Sequence, residues 1–128
     1  MMQTSSEIVR ESYKPGEFIF FEGDIDFHFY IIEEGEVQIF TKSPQGARIN
    51  ITTIKPGESF GEFALLDKAA RSASAQALTE TTLVKVSAKG FEQLLAELPD
   101  WASCMLTNFA VRLKNMNEVL KNVPQFVN

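Results

Sequence analysis

Cysteine and histidine are almost missing from this sequence. Its 128 residues include one cysteine, Cys104, and one histidine, His28. A single cysteine excludes an internal disulfide and any four-cysteine zinc or iron–sulfur site, and it fits a reducing compartment. Enzymes that need several histidine metal ligands lack them here, and we expect no Ser-His-Asp or Cys-His set, because His28 would have to serve every one. We therefore expect no catalytic residues, no metal and no cofactor, and we expect His28 to lie at a strand edge.

Positive charge and long apolar runs are also scarce. The chain has 12 Lys and Arg against 17 Asp and Glu, which gives a net charge of -5. Proteins that hold phosphate backbones rely on clustered Lys and Arg, so we expect no direct nucleic-acid contact by this chain. No apolar run approaches the roughly 18 residues of a membrane span, and "MMQTSSE" does not have the pattern of a signal peptide. The expected location is the cytoplasm.

The chain does contain enough apolar side chain for one core. Hydrophobic residues make up 45% of it, including 11 Phe, and its length suits a single domain. From residue 17 to residue 86, short apolar segments alternate with glycine turns, which is typical of an antiparallel sandwich or barrel. We expect strands at 17–21, 29–33, 36–41, 48–54, 72–78 and 82–86, with a short helix in "SSEIVRESY" before them.

Alternation in two of these strands predicts which side chains face inward. Val37, Ile39, Ile49 and Ile51 occupy every second position of segments 36–41 and 48–54. Successive side chains of a strand point to opposite faces. These four residues are therefore expected to line the interior, with Phe40 on the opposite face.

Beyond residue 86 the apolar spacing becomes helical. Phenylalanine and leucine recur at helical spacing over residues 88–98, Pro99 ends that helix, and Asp100 is placed to cap a second one over about 100–122. The predicted domain is a barrel over about residues 14–86, followed by helices at about 88–98 and 100–122.

One arginine stands out in "GEFALLDKAARSAS", residues 61–74. If the segment from Arg71 onward is extended, Arg71 shares a face with Ala73, Ala75 and Ala77. A guanidinium on an interior face needs an anion, because an unpaired buried charge costs several kcal/mol. Glu62 is one candidate partner and a bound phosphate is the other.

The turn that precedes this arginine favours an anion as well. Gly61 opens a short apolar turn of expected helix, whose free N–H groups and positive dipole end attract anions. The Glu62 carboxylate at that turn could accept hydrogen bonds from a hydroxyl group. Together these features are typical of a site for a phosphate plus a sugar, although an internal ion pair between Glu62 and Arg71 is an equal alternative.

At this point the sequence resembles the cyclic nucleotide-binding domain family, which includes the catabolite activator protein and the regulatory subunits of cyclic-AMP-dependent protein kinase. "FGEFALLDKAARSASAQAL" is similar to the family's phosphate-binding cassette. "YIIEEGEVQIF" is similar to its glycine-turned hairpin, and "IKPGESFGE" also matches. The resemblance covers about residues 14–120 and implies a mainly β fold with C-terminal helices, a double-stranded β-helix or jelly roll.

The resemblance implies roles for the residues that match the cassette. Glu62 would hold the ribose 2′-hydroxyl, and Arg71 would pair with the cyclic phosphate. Ser72 would add a hydroxyl contact to the phosphate or the base. The turn whose amides face the phosphate matches Gly61, Phe63 and Ala64.

Two features depart from the family pattern, the residue before the arginine and the residues that cap the base. Ala70 stands where many members have proline before the arginine. Apolar positions around the base and sugar match Ile39, Ile51, Ile54 and Phe60. The long helix places Arg112, Leu113, Met116 and Asn117 where relatives have varied base-capping residues, so the base preference depends on a variable part of the family pattern.

The implied function is a regulatory module that binds cyclic AMP, or less favourably cyclic GMP, and signals through its C-terminal helices. An alternative is a degenerate domain of the same fold that acts only in protein interaction. A third possibility is a cyclic dinucleotide ligand, which in relatives goes with loss of the cassette glutamate, whereas Glu62 is present here.

Apolar spacing in the long helix predicts a homodimer. A 4-3 spacing is the pattern of a seam between two helices, and packing of this helix on its own domain is the alternative. The seam consists of Ala102, Leu106, Phe109, Leu113, Met116, Leu120 and Val123.

Overall fold

The computed structural model describes residues 7–62 and 69–121. Within the last helix, the side chains of residues 114 and 117–121 lie outside that description. The chain divides into two compact units, with the boundary between Phe91 and Glu92. That residues 1–128 act as one domain stays a prediction.

The described residues of the first unit include eight strands. They pair antiparallel in two four-stranded sheets, in the orders β1-β8-β3-β6 and β2-β7-β4-β5. Their bounds are β1 Ile8–Tyr13, β2 Phe18–Phe20, β3 His28–Glu34, β4 Val37–Lys42, β5 Arg48–Ile54, β6 Ser59–Phe60, β7 Ser74–Ala77 and β8 Thr81–Ser87. The predicted mainly β architecture is confirmed, although the described strands form two sheets rather than one closed barrel.

The main core combines large side chains with alanines. Ile32, Val37 and Leu83 are almost completely buried, and Ala75 of β7 is fully buried beside them. The small alanine leaves room for aromatic rings such as Phe20. A second cluster contains Phe29 and Val86, so β3 buries residues of both parities. This explains its nearly continuous apolar sequence.

Two helices follow the last strand, close to the predicted bounds. Helix α1 spans Ala88–Ala96, and the ring of Phe91 packs edge-on against Phe29 at 5.7 Å between centroids. Helix α2 spans Asp100–Lys121 and begins at the predicted capping residue. Over the described ranges, no helix is both long enough and apolar enough to cross a membrane.

The predicted N-terminal helix is wrong. Residues Ile8–Tyr13 form β1, which pairs with β8 along its whole length, from Ile8 opposite Val86 to Tyr13 opposite Thr81. Cross-strand pairing and burial of Ile8 against the Phe29 cluster outweigh any local helical preference. The sheet region therefore starts at residue 8 instead of about 14. The two-residue strand β6 was also not predicted.

The predicted inward-facing pattern is confirmed for Val37 and Ile39 of β4 but is wrong for β5. Val37 is fully buried and Ile39 packs on the core, but Ile49 and Ile51 of β5 are 47% and 56% exposed. The reason is that β5 is an edge strand and contains a bulge opposite Ile39. Phe40, expected on the opposite face, is 4% exposed, because the Arg48 guanidinium lies 3.7 Å from its ring centroid and the Phe18 ring packs edge-on at 6.0 Å.

Candidate functional site

Arg71 lies immediately before β7 and is 5% exposed. Its Nη1 donates to the carbonyl oxygen of Gly61 at 3.0 Å, and its Nη2 donates to the carbonyl oxygen of His28 at 2.7 Å. The guanidinium carbon lies 4.0 Å from the centroid of the Phe20 ring. The alternation with Ala73 and the later alanines therefore predicted the burial of this side chain correctly.

The ion-pair partner of Arg71 is Asp26, not Glu62. Oδ2 of Asp26 lies 3.2 Å from Nη2 of Arg71, and Oδ1 lies 2.6 Å from Nδ1 of His28. Burial works to raise the pKa of Asp26, but the hydrogen bond with His28 and the charge of Arg71 lower it by more. Among the described residues, Glu62 and Arg71 form no ion pair, although the sequence allowed one.

Sequence reasoning missed Asp26 because backbone hydrogen bonds between distant segments bring it to Arg71. The amide of Gly23 donates to the carbonyl of Arg71 at 2.8 Å, and the amide of Arg71 donates to the carbonyl of Asp24 at 2.9 Å. These two bonds bring the loop before β3 against the segment before β7. No spacing in the sequence signals this long-range pairing.

One donor of Arg71 is left over. Nε is buried, and it has no hydrogen-bond partner among the residues that the structure describes. A buried donor without an acceptor costs about 1–3 kcal/mol, and such a group in a folded protein calls for an explanation. An anion at this edge of the guanidinium would provide the acceptor.

Gly61 lies beside Nη1 of Arg71, and Glu62 follows it in the chain. Gly61 has φ of 84°, a backbone conformation that favours glycine, and a Cβ there would lie 2.8 Å from Nη1 of Arg71. Glu62 is half-buried, and its Oε2 accepts a hydrogen bond from Ser59 Oγ at 3.3 Å. A carboxylate thus follows directly after the residue whose carbonyl holds the guanidinium.

The predicted apolar residues lie at different depths. Phe60 is 4% exposed and stacks on Tyr30 at 5.2 Å between centroids, so it is a core residue. Ile39 and Ile54 are half-buried against the same core. Ile51, at 56% exposure, is the most exposed of the four.

The remaining predicted site residues are only partly described. Ser72 is exposed at the start of the segment that leads into β7. Phe63 and Ala64 lie outside the described residues. Arg112 is exposed on α2, and the side chain of Asn117 falls outside the description.

Comparison with known proteins identifies related domains. The family model for the cyclic nucleotide-binding domain matches residues 10–97. The Cyclic AMP receptor protein of Thermus thermophilus is 34% identical over 105 residues, which are 82% of this chain and 49% of that protein. The cAMP-dependent protein kinase regulatory subunit of Emericella nidulans is 40% identical over 83 residues, which are 65% of this chain and 19% of that protein. The chain thus spans about half or less of these relatives.

Solved structures agree with this result. The catabolite activator protein of Thermus thermophilus has a TM-score of 0.71 and 33% identity, over 91% of this chain and 55% of that one. A half-site-occupied form of the EAL enzyme Bd1971 has a TM-score of 0.78 and 30% identity, over 85% of this chain and 97% of the other. These matches confirm both the resemblance drawn from the sequence and the predicted jelly-roll-type fold.

Proposed function

This chain belongs to the cyclic nucleotide-binding domain family, and we propose that it binds a cyclic mononucleotide, with cyclic AMP preferred over cyclic GMP. The names of its relatives support the preference, since they are a cyclic AMP receptor protein and a cAMP-dependent protein kinase regulatory subunit. Both relatives are regulatory proteins, and from this we infer a regulatory role for this domain. Both relatives also extend well beyond the matched part.

The buried and incompletely paired Arg71 is the observation that carries this proposal. Its Nη1 and Nη2 already donate to protein oxygens, while Nε has no acceptor in the described structure. A cyclic phosphate carries a negative charge and exposes oxygen acceptors. Charge-assisted hydrogen bonds of guanidinium to phosphate are among the strongest in proteins. The phosphate would satisfy Nε and share the Nη2 group with Asp26.

Other predicted residues complete the ligand site. Glu62 accepts hydrogen bonds from the ribose 2′-hydroxyl, and the exposed side chain of Ile51 contacts the base. Ser72 reaches either a phosphate oxygen or the base. A hydroxyl at that position can donate to guanine, so we expect discrimination between the two nucleotides to stay well below about a hundredfold, or about 2.7 kcal/mol.

The test is calorimetric titration of cyclic AMP and cyclic GMP into the parent and into Arg71→Gln. Two charge-assisted bonds of about 1.5–3 kcal/mol each imply a loss of at least about a hundredfold in affinity. Arg10→Gln, which removes an exposed arginine paired with Glu33, is the matched control and should bind like the parent.

Removing Arg71 alone leaves Asp26 without its cation, which destabilises the protein. The double variant Arg71→Gln, Asp26→Asn removes both charges and separates binding from folding. Cyclic AMP binding at parental affinity by a folded form of either variant would refute the proposed phosphate site.

We propose further that α2 signals the bound state and forms a homodimer. Leu106, Phe109, Leu113 and Met116 of the predicted seam are 41–60% exposed. Leu120 lies in α2 with its side chain outside the described set, and Val123 lies beyond the described residues. Pairing with a second copy would bury this apolar stripe. Arg112 and Asn117 of the same helix would then cap the base, which couples ligand to helix position.

Sedimentation equilibrium tests the dimer. Leu113→Glu places a charge in the seam and should give a monomer. Val111→Glu is the matched control, because Val111 is 52% exposed on α2 but lies off the seam, and this variant should remain dimeric. A parent that is monomeric with and without cyclic AMP would rule the dimer out.

A further inference from the structure

Three charged or titratable side chains are connected in a row that ends at Arg71 of the proposed phosphate site. Nδ1 of His28 is 2.6 Å from Oδ1 of Asp26, and the other oxygen of Asp26 is 3.2 Å from Nη2 of Arg71. The carbonyl oxygen of His28 also accepts a hydrogen bond from Nη2 at 2.7 Å. Arg71 and the histidine ring are therefore joined through one carboxylate.

Asp26 competes with any anion for Arg71. Its carboxylate neutralises the arginine and repels a second negative charge brought to the same guanidinium. The pKa of Asp26 lies below its ordinary value, because the His28 hydrogen bond and the Arg71 charge outweigh the opposing effect of burial. Asp26 therefore stays ionised at neutral pH, and the competition is present there.

The charge of His28 decides how strong this competition is. A protonated imidazole would pair with Asp26 and leave more of the Arg71 charge for the phosphate. Histidine is the side-chain type that ordinarily changes charge between about pH 5 and 8. The side chain of His28 is 34% exposed, so protons can reach it from solvent.

Other titratable groups face this cluster from β1, β3 and β8. The hydroxyl of Tyr30 donates to Asp26 at 3.3 Å, and burial raises the pKa of Tyr30 well above its ordinary value, so it stays neutral. Lys85 and Glu11 pair with each other at 3.9 Å. In the described part of the chain, the charged or titratable groups around Asp26 and His28 are Arg71, Tyr30, Tyr13, Lys85, Glu11 and, through Ser87, Glu7.

We propose that His28 and Asp26 are positioning residues that link phosphate binding at Arg71 to proton uptake. Protonation of His28 tightens binding, and a bound phosphate in turn raises the proton affinity of His28, because the two effects are reciprocal. The inference rests on the proposed function. We expect affinity for cyclic AMP to be about fivefold higher at about pH 5.5 than at about pH 8.5, at the low end of typical couplings because His28 is partly exposed.

The test measures the dissociation constant of cyclic AMP at both pH values for the parent, His28→Asn and Asp26→Asn. Asparagine at position 28 keeps an N–H donor and the backbone carbonyl but cannot titrate. Both variants should lose the pH dependence. Asp24→Asn, which changes an exposed carboxylate two residues away, is the matched control and should keep it.

Calorimetry in two buffers of different ionisation heat gives a second readout. The parent should take up a fraction of a proton with each nucleotide near neutral pH, and His28→Asn should take up none. Equal parental affinity at the two pH values, or an undiminished pH dependence in His28→Asn, would overturn the inference. If Arg71 is still required for binding, the proposed function survives that result. A parent that binds no cyclic nucleotide at either pH overturns both.

Discussion

Substitution of Gly61 by alanine should show how the turn at Gly61 holds the Arg71 side chain in place, separately from its effect on the free energy of unfolding. Gly61 has φ of 84°, and an added Cβ would lie 2.8 Å from Nη1 of Arg71 and 3.4 Å from the carbonyl oxygen of His28. A non-glycine residue with positive φ costs roughly 1–2 kcal/mol. The end of an arginine can usually move aside cheaply, but this one is fixed by Phe20 and by its bond to His28.

The matched control is Gly57→Ala. Gly57 has φ of 87°, and an added Cβ would have no atom within 4 Å. Both variants therefore share the backbone strain, and only Gly61→Ala displaces Arg71. Displacement weakens the Nη1 bond to the Gly61 carbonyl, which adds about 1.5 kcal/mol, the lower end of the range for hydrogen bonds of charged groups.

Urea denaturation and cyclic AMP titration measure the two effects. Gly57→Ala should lower the free energy of unfolding by about 1–2 kcal/mol and leave affinity unchanged. Gly61→Ala should lower the free energy of unfolding by about 3 kcal/mol and weaken affinity by about tenfold. Equal effects of the two variants on both quantities would refute this account of the turn at Gly61.

Two further predictions concern stability. Leu83→Ala, at a fully buried position, should lower the free energy of unfolding in urea by about 2–5 kcal/mol. Leu78→Ala, at a residue that is 41% exposed, should lower it by less than half as much. Equal losses would contradict the assigned core. The folded-state pKa of Asp26 lies below 3.8, so its stabilising effect is present above that pH and is lost as the pH falls through the folded value. Unfolding free energies of the parent and Asp26→Asn should therefore converge on acidification from pH 6, and a constant difference would exclude the ion pair as its source.

Local alternation was enough to predict the burial of Arg71. In the segment that enters β7, every second residue is small and apolar, and the arginine falls in the same phase. The same reasoning failed for Ile49 and Ile51, because alternation says which residues share a face but not whether that face is covered. Their exposure depends on the edge position of β5 and on its bulge.

Features formed by distant segments could not be predicted. Asp26 reaches Arg71 only because backbone bonds join residues 23–24 to residue 71. Residues 8–13 form a strand because β8 offers them partners 68 to 78 residues later in the chain. In both cases the deciding contact is a long-range one, and local propensity carries no information about it.

The crystal structure of the complex with cyclic AMP tests the central claim most directly. The account predicts a phosphate oxygen within about 2.7–3.2 Å of Nε of Arg71, with the Glu62 carboxylate at a similar distance from the ribose 2′-hydroxyl. Nucleotide bound elsewhere on the chain, or bound here with Nε of Arg71 still lacking an acceptor, would contradict it.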